Sequence, residues 1–159
     1  MKKIALYNTE LIKPFKQYFA SNDVEVKEIS SLGNTDDFDM VITYNCPDFV
    51  TKNSINIHPA LLPAYKGVLN PIIEAFNDGV KVSGITVHKG DKILAQYPVL
   101  LSTDTHFDEF EQDMQNVQNK LVPVVVDCLL QDKVFDFQDL FKSPCVTSLN
   151  CKGCGACHK

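Results

Sequence analysis

A short apolar strand cut off by a proline leaves little freedom to the chain around it. Ser54 to Gly67 reads Ser-Ile-Asn-Ile-His-Pro-Ala-Leu-Leu-Pro-Ala-Tyr-Lys-Gly. Side chains alternate along a strand, so Asn56 and His58 point to the same face. Pro59 has no N–H to give to a sheet ladder and ends the strand. Leu61 and Leu62 anchor the loop that follows, and Pro63 and Gly67 fix its path. An amide and an imidazole are therefore expected side by side at a strand end, where α/β folds place their chemistry. An Asn-x-His alone would be read as a strand with a buried, satisfied histidine. The long proline-bracketed loop favours a functional pair.

The flanking pattern sets the fold class. Lys3 to Tyr7 predicts a first strand, and Leu11 to Ala20 predicts a helix, with Asn8-Thr9-Glu10 as the turn and cap. Val24 to Ile29 and Met40 to Tyr44 predict two more strands, the second buried. Asn70-Pro71 opens a helix that Asn77-Asp78-Gly79 stops. Lys81 to His88 alternates as a strand whose Val82, Gly84, Thr86 and His88 share one face. Gly90-Asp91 turns it into a partner strand from Ile93 to Leu101. Asp104-Thr105 reads as the cap of a long helix from Phe107 to about Leu130, with Pro123 expected to kink or split it. The chain reads as one α/β domain over 1–141, a doubly wound, mainly parallel sheet flanked by helices with a hairpin near 82–101. A Cys-rich tail follows over 142–159.

Charge narrows the function classes. The net charge of −5 argues against a nucleic-acid or membrane-surface binder, and no apolar run approaches a membrane span. The run Ile4 to Tyr7 is too short for the core of a signal peptide. The expected location is cytoplasmic, where clustered thiols read as a metal or redox site before a disulfide framework.

Asn56-Ile57-His58-Pro59, Leu61-Leu62-Pro63 and Tyr65-Lys66-Gly67 resemble the formyltransferase family, with the closest likeness to its glycinamide ribonucleotide branch. The likeness continues through Gly79 to His88, Ile93-Leu94-Ala95-Gln96, Asp104-Thr105 and Leu121-Val122-Pro123. It implies a formyltransferase-like α/β domain that moves a formyl group from 10-formyltetrahydrofolate to a small-molecule amine. The family's catalytic trio is an Asn, a His and an Asp, and the first two fall on Asn56 and His58. Amine attack on a formamide carbon builds an oxyanion, which an amide N–H and an imidazolium can stabilise. The same His can carry a proton from the amine to the departing folate nitrogen. The resemblance assigns substrate binding to His88, Gln96 and Tyr65.

The sequence also departs from the family. Seven residues separate His88 from Gln96, and Lys89 stands where the family has its Asp. Asp91 is the only acid in that interval: either it serves as the third catalytic group through a different loop path, or that group is absent. The first strand is followed by Asn8-Thr9-Glu10 in place of a glycine-rich phosphate loop, and Glu10 would repel a phosphate. Ala60 stands where many relatives have Ser.

Of six cysteines, Cys46 and Cys128 sit singly in apolar contexts and read as buried small residues. Cys145, Cys151, Cys154 and Cys157 form Cys-x5-Cys-x2-Cys-x2-Cys, and Gly153 and Gly155 let the backbone fold tightly between the thiols. Four thiolates suit a tetrahedral zinc, and the two-residue gaps also resemble part of an iron–sulfur loop. This tail lies outside the formyltransferase pattern. The readings to separate are thus a formyltransferase acting on an amine without a phosphate, and an inactive relative that binds a ligand or partner and has a metal-binding tail.

Overall fold

A computed structural model of the chain describes residues 1–142. Six strands form one sheet in the order β2-β1-β3-β4-β5-β6. They are β1 (Lys2–Tyr7), β2 (Val24–Ile29), β3 (Met40–Tyr44), β4 (Ser54–His58), β5 (Val82–Lys89) and β6 (Lys92–Leu100). β1 pairs in parallel with both β2 and β3, and β3 with β4, while β4–β5 and β5–β6 are antiparallel. The sheet is mainly parallel, and the expected hairpin forms its far edge. Winding runs one way from β1 to β2 and the other way from β3 to β4, which leaves a switch point between β1 and β3.

The helices are α1 (Ile12–Tyr18), α2 (Pro71–Asn77), α3 (Phe107–Leu130) and the short α4 (Asp139–Lys142). α3 packs on β5 and β6 and touches the other three helices. The register explains which sheet face they cover. Leu6, Ile42 and Ile55 are cross-strand neighbours, as are Ile57, Val87 and Ala95, and all six join one buried cluster with Phe15, Phe110, Met114 and Leu121. Burying each large side chain of this kind contributes roughly 1.5–3 kcal/mol before entropy. The opposite face alternates to small or polar residues: Ala5, Val41, Thr43, Ser54, Asn56, His58 and Thr86, all buried. One strand set thus supplies an apolar core on one side and a row of hydrogen-bonding groups on the other.

Four local expectations change. Leu11 precedes α1 with no side-chain cap, and the helix ends at Tyr18 rather than Ala20. Asn8 instead makes a left-handed turn at φ 55° and donates its amide to Tyr44 O. Asp104 and Thr105 do not cap α3. Thr105 Oγ1 accepts from Ser102 N at 2.9 Å, while Glu109 reaches back to His106 N at 3.2 Å. α3 also runs unbroken through the buried Pro123. Packing of the flanking Leu121, Val122, Val124 and Val125, each 4% exposed or less, outweighs the one backbone bond that a proline removes.

Candidate active site

The register of four adjacent strands builds two polar rows on the face away from the apolar cluster. Thr43, Asn56 and His88 are cross-strand neighbours, and so are His58, Thr86 and Gln96. All but the half-buried Gln96 are nearly sealed from solvent. Buried polar groups must find partners, and here the partners fix orientation and protonation.

Asn56 Oδ1 accepts from Cys46 N at 2.9 Å and from the Thr43 hydroxyl at 2.8 Å. A backbone N–H can only donate, so the amide oxygen must lie on that side and Nδ2 must face His88 Nε2, 2.9 Å away. Nδ2 donates, so His88 Nε2 accepts and is unprotonated. The proton of His88 is then on Nδ1, which donates to Gly90 O at 2.8 Å. One N–H of the Asn56 amide remains without an acceptor among the described residues.

His58 Nε2 lies 2.9 Å from Ala64 O, and a carbonyl can only accept, so this nitrogen has the proton. Nδ1 is left as the basic nitrogen. Burial, more than the neighbouring His88, holds the His58 pKa below its ordinary 6.5, against a smaller opposing pull from the Ala64 carbonyl. Neutral imidazole is thus favoured, so His58 is suited to accept a proton, in contrast to the imidazolium expected from sequence.

The loop after β4 folds back over this face. The Thr86 hydroxyl donates to Ala60 O at 2.7 Å and accepts from Leu62 N at 3.0 Å and from Gln96 Nε2 at 3.1 Å. Gln96 Nε2 also reaches Leu62 O at 3.1 Å. Gln96 and His88, assigned to substrate binding by resemblance, are engaged here in holding the loop and Asn56. Tyr65, the third of that group, has φ 58°, and its hydroxyl donates to Asp78 Oδ2 at 2.7 Å, which raises its pKa. Thr43 and Thr86 complete the network. The signal for them is register: each is the polar member of an alternating strand beside Asn56 or His58.

Asp91 is not brought to His58. It lies in the Gly90–Asp91 turn, fully exposed, with its carboxylate 4.0 Å from Lys66 Nζ. A two-residue turn closes the hairpin too tightly to lay a carboxylate over the sheet face. Among the described residues the site therefore has the amide and the imidazole without an adjacent acid.

A cavity of about 490 Å³ opens on the other face, at the switch point between β1 and β3. Its walls come from the turn after β1, the end of β3, and α3. Gln118 in that wall was missed. It lies between Met114 and Leu121 on the buried stripe of α3, and a polar residue in such a stripe is the sequence signal. Glu10, expected to repel phosphate, stands in the same wall. No helix of the described residues is long and apolar enough to cross a membrane. Among the described residues no group of three or more His, Cys, Asp or Glu is placed to hold a metal. The cluster Cys145, Cys151, Cys154 and Cys157 lies outside them.

Comparison with known proteins places this arrangement. Phosphoribosylglycinamide formyltransferase of Bacillus subtilis is 39% identical over 82 residues, covering 48% of this chain and 42% of that protein. The chain therefore spans less than half the length of that relative. The phosphoribosylglycinamide formyltransferase structure from Streptococcus pneumoniae matches with a TM-score of 0.60 at 24% identity, covering 82% of this chain and 99% of that one. The formyltransferase PseJ from Anoxybacillus kamchatkensis, solved with UDP-4,6-dideoxy-4-formamido-L-AltNAc and tetrahydrofolate, matches with a TM-score of 0.66 at 19% identity, covering 84% of this chain and 79% of that one. These structures share the fold. The formyl transferase family model matches residues 35–130, more than half of the chain and the whole span from β3 to α3. The chain belongs to the formyl transferase family.

Proposed function

We propose that this protein transfers a formyl group from 10-formyltetrahydrofolate to the nitrogen of a small-molecule amine. The observation that carries the reading is the pairing, at the end of β4, of an unpartnered Asn56 N–H with a neutral His58. Family membership and the tetrahydrofolate named with the PseJ structure support it. The donor set fits carbonyl chemistry: one N–H to stabilise an oxyanion and one basic nitrogen to move a proton. 10-Formyltetrahydrofolate, when bound, would supply the formyl carbon and leave as tetrahydrofolate. Asn56 donates its free N–H to the oxygen on which charge develops as the amine nitrogen bonds to that carbon. His58 Nδ1 takes the proton that the amine loses and returns it to the nitrogen whose bond to carbon breaks. Thr43, Thr86, His88 and Gln96 act as positioning residues, and burial keeps the local dielectric low enough for the single N–H to matter.

The test is formyl transfer from 10-formyltetrahydrofolate to a panel of amines, with wild type compared to His58→Ala. Loss of the proton carrier should lower turnover by roughly 10²–10⁴-fold with native circular dichroism retained. Unchanged turnover in His58→Ala refutes the reading.

For Cys145, Cys151, Cys154 and Cys157 the spacing supports one bound zinc or an iron–sulfur cluster. Anaerobic purification followed by metal and sulfide analysis should find about one site per chain. Neither zinc nor iron at that level removes the assignment.

A further inference from the structure

The segment that leaves β3 sets the oxygen side of Asn56. Tyr44, the last residue of β3, is in register with Ile57. Asn45 extends this pairing by one bond, its N–H donating to Ile57 O at 2.8 Å. In a strand that continued, the next N–H would point the opposite way, toward β1. Asn45 instead turns left-handed, at φ 49°, and the Cys46 N–H meets Asn56 Oδ1 at 2.9 Å. The turn is confined to Asn45 from both sides. Tyr44 O accepts from Asn8 Nδ2 and from the Cys46 thiol, each at 3.3 Å, which holds the peptide before it. Pro47 disfavours helical backbone at Cys46, the residue after it. Asparagine tolerates the left-handed region better than most residues with a Cβ.

The same residue reaches the loop over the site. Asn45 Nδ2 donates to Leu69 O at 3.0 Å and lies 3.5 Å from Val68 O, at the far end of the loop that starts after His58. Thr86 and Gln96 hold the start of that loop, and His58 holds its middle.

The Cys46 N–H matters because the other partner on its side does not discriminate. The Thr43 hydroxyl can accept from an amide nitrogen as readily as it donates to an amide oxygen, whereas a backbone N–H can only donate. With the Cys46 N–H turned away, Asn56 would be free to flip. Its oxygen would then face His88 Nε2, which would need a proton, and its spare N–H would move with the nitrogen to the other side.

We infer that Asn45 is a positioning residue with two separable tasks: its left-handed backbone aims the Cys46 N–H that orients Asn56, and its side chain ties down the far end of the loop over His58. The inference rests on the formyl-transfer reading for its effect on turnover, while the orientation of Asn56 is read independently at the His88 ring.

Asn45→Gly and Asn45→Ala test it. Both lack the side-chain amide. They differ by one Cβ, which penalises the left-handed turn in Asn45→Ala alone. Both should raise KM for 10-formyltetrahydrofolate roughly fivefold, the weight of one lost hydrogen bond. Turnover at saturation should stay near wild type in Asn45→Gly and fall roughly tenfold in Asn45→Ala. Ring ¹⁵N NMR without substrates should show His88 protonated on Nδ1 alone in the wild type and in Asn45→Gly, and partly on Nε2 in Asn45→Ala. Circular dichroism and urea unfolding check the fold. A merely structural role would lower the stability of Asn45→Ala and leave its His88 ring as in the wild type, which overturns the inference. Equal kcat in the two variants, or an unchanged KM in both, overturns it as well. Should Asn45→Ala not fold, Asn45→Gly decides alone: a wild-type ring with raised KM supports the inference, and a changed ring or an unchanged KM overturns it. A wild type that transfers no formyl group refutes the transfer reading, and a ring shift confined to Asn45→Ala then still supports the positioning of Asn56.

Discussion

At the scale of single residues, Asn56 decides the protonation of its neighbours. Its oxygen is pinned by Cys46 N and the Thr43 hydroxyl, so its nitrogen must face His88. Asn56→Asp keeps the shape and replaces that nitrogen by a second oxygen. Two acceptors then face each other unless His88 Nε2 takes a proton, while Nδ1 must keep its own for Gly90 O. Ring ¹⁵N NMR should therefore show His88 protonated on Nδ1 alone in the wild type and on both nitrogens in Asn56→Asp. An unchanged ring in the variant would refute the amide orientation. Turnover of the same variant should fall by roughly 10²–10³-fold, because the proposed oxyanion donor becomes an acceptor. Asp91 is the contrasting case. Its carboxylate is fully exposed and among the described residues meets only Lys66, at 4.0 Å. A pair so exposed is screened by solvent and contributes little. Asp91→Asn should leave the rate of formyl transfer within about a factor of two, and a loss comparable to that of His58→Ala would restore Asp91 as a catalytic residue.

At the scale of elements, the β5–β6 hairpin and the loop after β4 hold each other through Gly84. A glycine inside a strand signals either a bulge or a close approach. Here the bulge falls at Leu94 of β6, and Gly84 is the close approach. A Cβ there would lie 2.1 Å from Tyr97 O and 2.7 Å from Leu61 Cδ2. The backbone oxygen cannot move without breaking the ladder, and Leu61 cannot move without lifting the loop that bonds Thr86. Gly84→Ala should cost roughly 1–3 kcal/mol in urea unfolding and speed hydrogen exchange at the Leu62 amide. Wild-type stability would mean that the two strands separate more easily than this packing allows. The strands themselves were legible from sequence to within a residue or so, because alternation and apolar runs are properties of contiguous residues. The caps were not. Thr105 has the chemistry of a cap for α3 but closes a turn with Ser102, and Glu109 caps from inside the helix. Local residues of equal propensity compete, and packing of the neighbouring segments chooses between them.

At the scale of the whole molecule, the legible part of the site is the part built on one strand. Asn56 and His58 share a face because strands alternate, and Gly84, Thr86 and His88 follow on the next strand. The cavity at the switch point was not legible, because Thr9, Tyr44 and Gln118 come from three distant segments that only the reversal of winding brings together. The same tertiary burial that hides the site from sequence also couples His58 to global stability. Burial holds its folded pKa below the ordinary 6.5 of the unfolded chain. Above 6.5 neither state binds the proton, and His58 adds no pH dependence. As pH falls from 6.5 to the folded value, the unfolded chain takes up a proton that the folded chain refuses, so unfolding becomes easier. Below the folded value both states are protonated, and this contribution to the slope ends. His58→Gln can still offer an N–H to Ala64 O but cannot titrate. Urea unfolding free energies measured from about pH 7.5 down to pH 5 should therefore fall less steeply in His58→Gln than in the wild type. Asp39 and Glu25, both held below their ordinary values by lysine and backbone partners, titrate at lower pH and contribute little in this window. Turnover should show the same residue from the other side. The base form of His58 persists below 6.5, so the acid limb of the wild-type rate profile should lie on the acid side of an ordinary histidine. Coincident slopes in wild type and His58→Gln, with an acid limb at or above 6.5, would show that His58 is as solvated as a surface histidine and would refute its proposed role as a buried base.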